Sequence, residues 1–193
     1  MNNTEIVTFF DRLAANWNDC PDEYDRREEI VSLAGFTSGG IVADIGCGRG
    51  VMFAHLLKTE PEELIAVDIS AEMIKHAKGF FPDPRITYLH ADLLKAELPM
   101  LDAAIIYNAY PHFLHKQAFV EKLVRHIKKD GFLVIAHGIC KEEINGVHDG
   151  ECVSRISVPL EPAEQEAAKF EPFFTPELLI DNADFYMLKL LRK

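Results

Sequence analysis

The chain has no run of about 18 apolar residues, which rules against a membrane-spanning helix. Its opening stretch, MNNTEIVTFFDRLAANW, lacks a basic region and a long apolar core, so no export signal is expected. Cysteine is sparse: Cys20, Cys47, Cys140 and Cys152 are scattered with no C-x-x-C pair, and they read as the reduced thiols of a cytoplasmic protein. Positive charge is short as well. Twenty Lys and Arg face 31 Asp and Glu, for a net charge of −11, which disfavours a nucleic acid or an anionic membrane as partner. No internal repeat or low-complexity tract is present. What is there is ordinary globular composition, 48% hydrophobic and 26% charged over 193 residues. That suits one domain, large enough for a sheet with helices on both faces.

The chain is organised around Ile41 to Val51, IVADIGCGRGV. IVADI is a β-branched apolar run with the length of a buried strand. Gly46, Gly48 and Gly50 follow, separated only by Cys47 and Arg49, and VMFAHLLK then reads as a helix. Strand, glycine turn and helix together place a nucleotide-type site at the carboxyl end of a parallel strand. Glycine suits the turn because it accepts positive φ and because a Cβ would hold the backbone off a ligand. The first helical turn points unpaired N–H groups at whatever lies above it. The spacing is G-x-G-x-G with Asp44 two residues ahead. It is not the G-x-G-x-x-G that cradles a pyrophosphate.

Upstream, residues 3–16 place Ile6, Phe9, Phe10 and Leu13 on one face of an amphipathic helix. Trp17 and the helix-stopping Pro21 follow, and residues 22–35 read as an acidic second helix ending at Gly35. Trp17 and Tyr24 read either as packing onto the core or as part of a lid over the site.

Downstream of a helix over 50–58, residues 63–70 read as a second strand. Its Asp68 can accept hydrogen bonds from both hydroxyls of a ribose. Ser70 is the better N-cap for the next helix, AEMIKHAKGF, and leaves Asp68 to the ligand. Residues 86–89 form a third strand leading to Asp92, on its own a turn or cap residue. The fourth strand, 100–108, opens into NAYPHFLH, an aromatic, proline-broken loop at the end of the sheet where ligands bind. A helix over 115–129 carries Phe119, Leu123 and Ile127 on one face, with basic residues at its end. A fifth strand closes at His137, and residues 138–160, which include His148, are the least regular part. Residues 161–174 read as a last helix, and 175–193 as two strands around a turn formed by Asn182.

D-x-G-x-G-x-G after a hydrophobic strand, acids at 68 and 92 and a terminal hairpin resemble the class I S-adenosylmethionine (SAM) dependent methyltransferases. The likeness is specific from Thr37 to about Cys140. FFDRLAANW also resembles a phrase with which many small-molecule methyltransferases begin. The resemblance implies an α/β, Rossmann-like doubly wound seven-stranded sheet, order 3-2-1-4-5-7-6, with strand 7 antiparallel and helices on both faces. It implies one domain over 1–193: a helical lid over 1–36, a cofactor-binding core over 37–140, and a substrate-capping insertion with the terminal β-hairpin over 141–193. SAM would be the cofactor and S-adenosylhomocysteine (SAH) its product. Contacts to it would come from Asp44, Gly46, Cys47, Gly48, Gly50, Asp68, Ile69, Asp92, Leu93 and Asn108, with Asp92 taking the adenine amine and Leu93 packing on the ring. Trp17, Tyr110, His112, Phe113 and His148 would face the substrate.

Methyl transfer from a sulfonium is an in-line displacement in which positioning supplies most of the catalysis. A weakly nucleophilic O–H or N–H acceptor also needs a base, for which histidine suits. His112 and His137 are the candidate catalytic residues. His112, His137 and His148 lie at one end of the sheet and could polarise a substrate or converge on a metal, although their spacing matches no short ligand motif. The expected function is methylation of an O, N or S atom of a small molecule by a monomer or homodimer. A nucleic-acid or protein methyltransferase is the first alternative, weakened by the acidic charge and by NAYP in place of N-P-P-Y. A non-catalytic SAM-binding subunit is the second. An NAD oxidoreductase is opposed by the glycine spacing and the terminal hairpin.

Overall fold

The structure, a computed structural model, describes residues 3–17, 25–149 and 153–193. Cys20, Pro21, Tyr24, Gly150 and Cys152 lie outside the described residues. Seven strands form one sheet: β1 (Ile41–Ile45), β2 (Glu63–Asp68), β3 (Ile86–His90), β4 (Leu101–Tyr107), β5 (Ile127–His137), β6 (Phe174–Asp181) and β7 (Tyr186–Arg192). The order is β3-β2-β1-β4-β5-β7-β6. The first five strands run parallel, and β7 is antiparallel to both its neighbours. This is the expected sheet.

The helices are α1 (Thr4–Leu13), α2 (Arg27–Ala34), α3 (Phe53–Leu57), α4 (Ala71–Phe80), α5 (Lys116–His126), α6 (Lys141–His148) and α7 (Ala163–Ala168). Side chains alternate across a strand, so one strand serves two cores. In β1, Val42 packs with Ile30 of α2, Phe53 of α3 and Ile74 of α4. Ala43 and Ile45 pack on the opposite face with Phe119 and Leu123 of α5 and Ala167 of α7. A strand covered on both faces must be apolar almost throughout, and this is why IVADI is legible as a strand. Its one acid, Asp44, is buried with the rest. Among the described residues no helix is long and apolar enough to cross a membrane.

Several boundaries differ from expectation, each for a local reason. Gly50, at φ +89, prolongs the turn, so α3 starts only at Phe53. β2 stops at Asp68 because Ser70 leaves the sheet to cap α4, its Oγ accepting from Met73 N at 3.1 Å. α5 ends at His126, because Ile127 turns extended and pairs with Leu101 of β4. The irregular stretch after β5 contains α6. α7 is shorter than the expected 161–174, since Phe174 is drawn into pairing with Arg192 of β7. Asn182 turns the hairpin as expected, its Oδ1 accepting from Asp184 N and Phe185 N. Gly35 ends α2 at φ +68.

Candidate active site

A cavity of about 260 Å³ opens at the carboxyl ends of β1, β2 and β4. That end of a doubly wound sheet, where the order reverses on either side of β1, is where such folds bind ligands. Its floor is the glycine turn. Gly46 N and Cys47 N donate to Val67 O, at 2.8 and 3.1 Å, folding the turn back over the end of β2. Gly46 takes φ +72, and a Cβ there would lie 2.7 Å from the Ala109 Cβ. Gly48 takes φ +53 with nothing within 4 Å of the position a Cβ would occupy. The first glycine is therefore dictated by packing against the loop after β4, and the second leaves clear space above the backbone. Gly46, Cys47 and Gly48 line the cavity, whereas Gly50 packs on the Phe53 ring behind it.

Three carboxylates accompany the turn. Asp44 is 1% exposed, and among the described residues neither of its oxygens has a hydrogen-bond partner. Burial, with the charge of Asp68 nearby, pushes its pKa up to about 8. Asp68 accepts from Gly48 N through Oδ2 and from Ser70 N through Oδ1, both at 2.8 Å. Burial raises its pKa against those two hydrogen bonds. Asp92 closes a turn through Leu94 N at 3.0 Å, and its Oδ2 accepts from Asn3 Nδ2 at 2.9 Å. Ile69, Asp92, Leu93 and Asn108 all line the cavity. Asn108 takes φ +52 and fastens the end of β5 by accepting from Gly138 N at 3.1 Å. Burial pushes the Cys47 thiol well up, so it is no nucleophile.

The turn after β4, Tyr110–His112, sorts its residues by direction. His112 and Phe113 line the cavity. Tyr110 does not, contrary to expectation. It is fully buried between Phe119 and Phe170, with its hydroxyl donating to Glu166 at 2.7 Å and Lys116 Nζ 3.3 Å above its ring. A phenol that finds an acceptor in the core has no reason to face a ligand. His137 is also off the cavity wall, 2% exposed with Nε2 unpartnered among the described residues, and burial pushes its pKa down to about 3. That placement removes it as a base in contact with substrate. His148 reaches the site only through His112, with the two Nε2 atoms 3.4 Å apart. No group of three or more His, Cys, Asp or Glu among the described residues is placed to hold a metal ion, so the three histidines do not form a ligand set.

Four described residues of the N-terminal segment line the cavity. They are Trp17, together with Asn3, Ile6 and Phe10, which no motif marked out beyond the apolar face of α1. Asp11 accepts from Ser70 Oγ at 2.5 Å, and Arg49 Nη1 donates to Trp17 O at 2.8 Å while its guanidinium lies 4.8 Å from the Phe80 ring centre. The glycine turn is thus tied to the segment that covers it. Arg49 carried no signal in the sequence beyond standing between two glycines of the turn.

The strand order and the glycine turn at the reversal point define a Rossmann-like doubly wound domain. Residues 42–131 match the methyltransferase domain family. An uncharacterised methyltransferase of Mycobacterium tuberculosis is 32% identical over 108 residues, covering 55% of this chain and 54% of the relative, so the chain spans about half the length of that curated relative. The N-methyltransferase NodS of Bradyrhizobium japonicum, solved with SAH, superposes with a TM-score of 0.75 at 14% identity over 97% of this chain and 98% of its own. A putative methyltransferase solved in complex with the Trm112 activator of Haloferax volcanii superposes at 0.77 with 21% identity, over 91% and 80%. The likeness to a methyltransferase domain is carried by residues 42–131, and the fold is the one shared with these solved methyltransferases.

Proposed function

We propose that this protein transfers the methyl group of SAM to an O, N or S atom of a small molecule. The observation that carries the reading is a single cavity whose wall joins the glycine turn, Asp68 and Asp92 to His112, Phe113, Phe10 and Trp17. One end of it suits a nucleoside and the other an acceptor.

The residues fit the cofactor by donor and acceptor count. SAM presents an ammonium, two ribose hydroxyls and an adenine amine, all donors. The chain opposes them with acceptors: Asp68, with lone pairs left beyond its two backbone bonds, and Asp92 on the wall, whereas Asp44, expected to contact the cofactor, is buried off that wall. In this reading Asp68 holds the ribose, Asp92 the adenine amine, Leu93 and Ile69 flank the ring, and Asn108 shapes the floor next to the methyl. When bound, SAM supplies a methyl activated by the sulfonium. The chain's part is to align the acceptor between His112 and Phe113 and to exclude water with α1 and Trp17. The lid and the net charge of −11 support a small acceptor over a nucleic acid.

Thermal melts with SAM, SAH and NAD test the cofactor assignment: the first two should raise the melting temperature and NAD should not. A radiolabelled methyl group followed across small-molecule, protein and RNA acceptors tests the transfer. Label appearing only in protein or RNA would overturn the small-molecule reading.

A further inference from the structure

Two histidines from distant parts of the chain meet tip to tip at the acceptor end of the cavity. His112 Nδ1 lies 2.9 Å from Ile156 O, and His148 Nδ1 lies 2.6 Å from Ile144 O. A carbonyl oxygen only accepts, so each Nδ1 carries a proton and each neutral ring keeps a lone pair on Nε2. Those two Nε2 atoms face each other at 3.4 Å. Two lone pairs so placed repel, and one proton between them makes an N–H···N bond.

The arrangement is held from several sides. Val158 N donates to Pro111 O at 2.9 Å, fastening the segment after α6 to the turn that carries His112. Asn145 of α6 bonds both the N–H and the carbonyl of Leu160, closing that segment on itself. Phe10 of α1 meets the His112 ring edge-on, with centroids 4.9 Å apart. His112 lines the cavity and His148 stands behind it.

We propose that His112 and His148 work as one two-nitrogen proton acceptor, with His112 the catalytic residue on the cavity wall and His148 the positioning residue that shares the proton His112 receives. The source of that proton rests on the methyltransferase reading; the pair itself does not. A neutral X–H acceptor that gains a methyl group forms its X–C bond with its own lone pair. The S–C bonding pair stays on sulfur, the X–H pair returns to X, and the freed proton enters the gap between the two Nε2 atoms. The pair goes from neutral to a single positive charge and then releases the proton to water past the half-buried His148.

The surroundings keep the gap empty until it is needed. Burial lowers the pKa of His112 to about 4, and a positive charge on Lys116 of α5 or on His148 lowers it further, so that the pair resists a second proton. His137, at the end of β5, is held neutral by burial as well. Burial brings Lys116 itself down to about 7, against the pull of Glu166 of α7. Phe10, the contact from α1, is uncharged. At neutral pH His112 therefore stands ready to accept.

Imidazole nitrogen NMR on the whole protein without cofactor, titrated with acid, tests this. Both rings should show the Nδ1–H tautomer at high pH, and both Nε2 signals should move together with one midpoint. His148→Leu should lower the His112 midpoint by about one pH unit, the size of a charge-assisted hydrogen bond. His148→Gln, which keeps an acceptor there, should restore part of it. Separate midpoints, an Nε2–H tautomer on either ring, or a His112 midpoint indifferent to His148→Leu would overturn the proposal. So would zinc ions alone abolishing both titrations, which would make the gap a metal site. If His148→Leu fails to fold, the wild-type titration and His148→Gln decide. SAM melts on the same samples separate the two readings. Coupled titration without SAM stabilisation removes only the source of the proton, and SAM stabilisation with uncoupled titration removes only the pair.

Discussion

Replacing Asp44 by asparagine should make the protein's stability less sensitive to rising pH. In the folded chain burial and Asp68 hold this carboxyl at about 8, whereas an ordinary aspartate in an unfolded chain ionises near about 3.9. Below about pH 4 the group is protonated in both states and costs nothing. Between those pKa values the unfolded chain is ionised and the folded chain is not, so the unfolded state binds fewer protons. Stability then falls as pH rises, by about 1.4 kcal/mol per unit. Above about pH 8 both states are ionised and the full penalty, about 6 kcal/mol, is in place. Asp44→Asn keeps the shape and cannot ionise. Its own unpaired amide adds a pH-independent offset, so the informative quantity is the change in the difference between the two proteins. From about pH 5 to about pH 7 the variant should gain about 3 kcal/mol on the wild type. Urea denaturation of both proteins at several pH values reads this directly, provided the m-values agree. His112 and His137 impose an opposite slope in acid, and because both proteins carry them the effect cancels. Parallel stability curves would refute the buried, unpartnered placement of Asp44.

The two cavity-lining glycines should separate packing from access. Gly46→Ala places a Cβ 2.7 Å from the Ala109 Cβ at φ +72, and should cost about 2 kcal/mol or more. Gly48→Ala, at φ +53 in open space, should cost about 1 kcal/mol while still obstructing the ligand; melts with and without SAM distinguish them. Tyr110→Phe removes the hydroxyl bonded to buried Glu166, which keeps Lys169 at 3.0 Å, and should lower stability by about 1–2 kcal/mol. Its SAM stabilisation should be unchanged, and a selective loss of SAM binding would return Tyr110 to the cavity. His137, depressed to about 3 by burial, is neutral when folded and ionises near about 6.5 when unfolded. Its contribution is complete above that value and is lost on acidification by about 1.4 kcal/mol per unit, so His137→Leu should flatten the acid limb of an unfolding titration.

The glycine-turn half of the cavity was readable because its determinants are local. A glycine that must take φ +72 against Ala109 and an acid at the end of a strand sit within a few residues of the apolar run that announces the strand. Strand order followed from the family likeness, while the physical reason for it, two apolar cores served by alternate residues of β1, needed the packing to be seen. Errors at element ends came from competition that periodicity does not report. Ile127 satisfies a helical face by spacing, yet pairs with Leu101 because the strand it joins gives its backbone a partner.

The half of the cavity formed by the turn after β4 was poorly readable because direction within a short turn is not encoded by spacing. Tyr110, His112 and Phe113 lie within four residues, and each was expected to face the substrate. Tyr110 was captured by Glu166, 56 residues away, and His112 by Ile156 and His148, 44 and 36 residues away. A carboxylate buried at 1% exposure needs donors strongly enough to draw a tyrosine inward. Once Tyr110 turns toward α7, the next two side chains of the tight turn are left to the cavity. The cavity wall formed by this turn is therefore set partly by Glu166 and Lys169, and under the proposed function substitutions there should alter acceptor choice before they alter cofactor binding. Glu166→Gln, which keeps an acceptor for the Tyr110 hydroxyl, should leave SAM stabilisation intact. Glu166→Leu should free Tyr110 and shift which acceptors in a panel receive label. An unchanged acceptor profile in a folded Glu166→Leu protein would show that the turn holds its direction without this anchor.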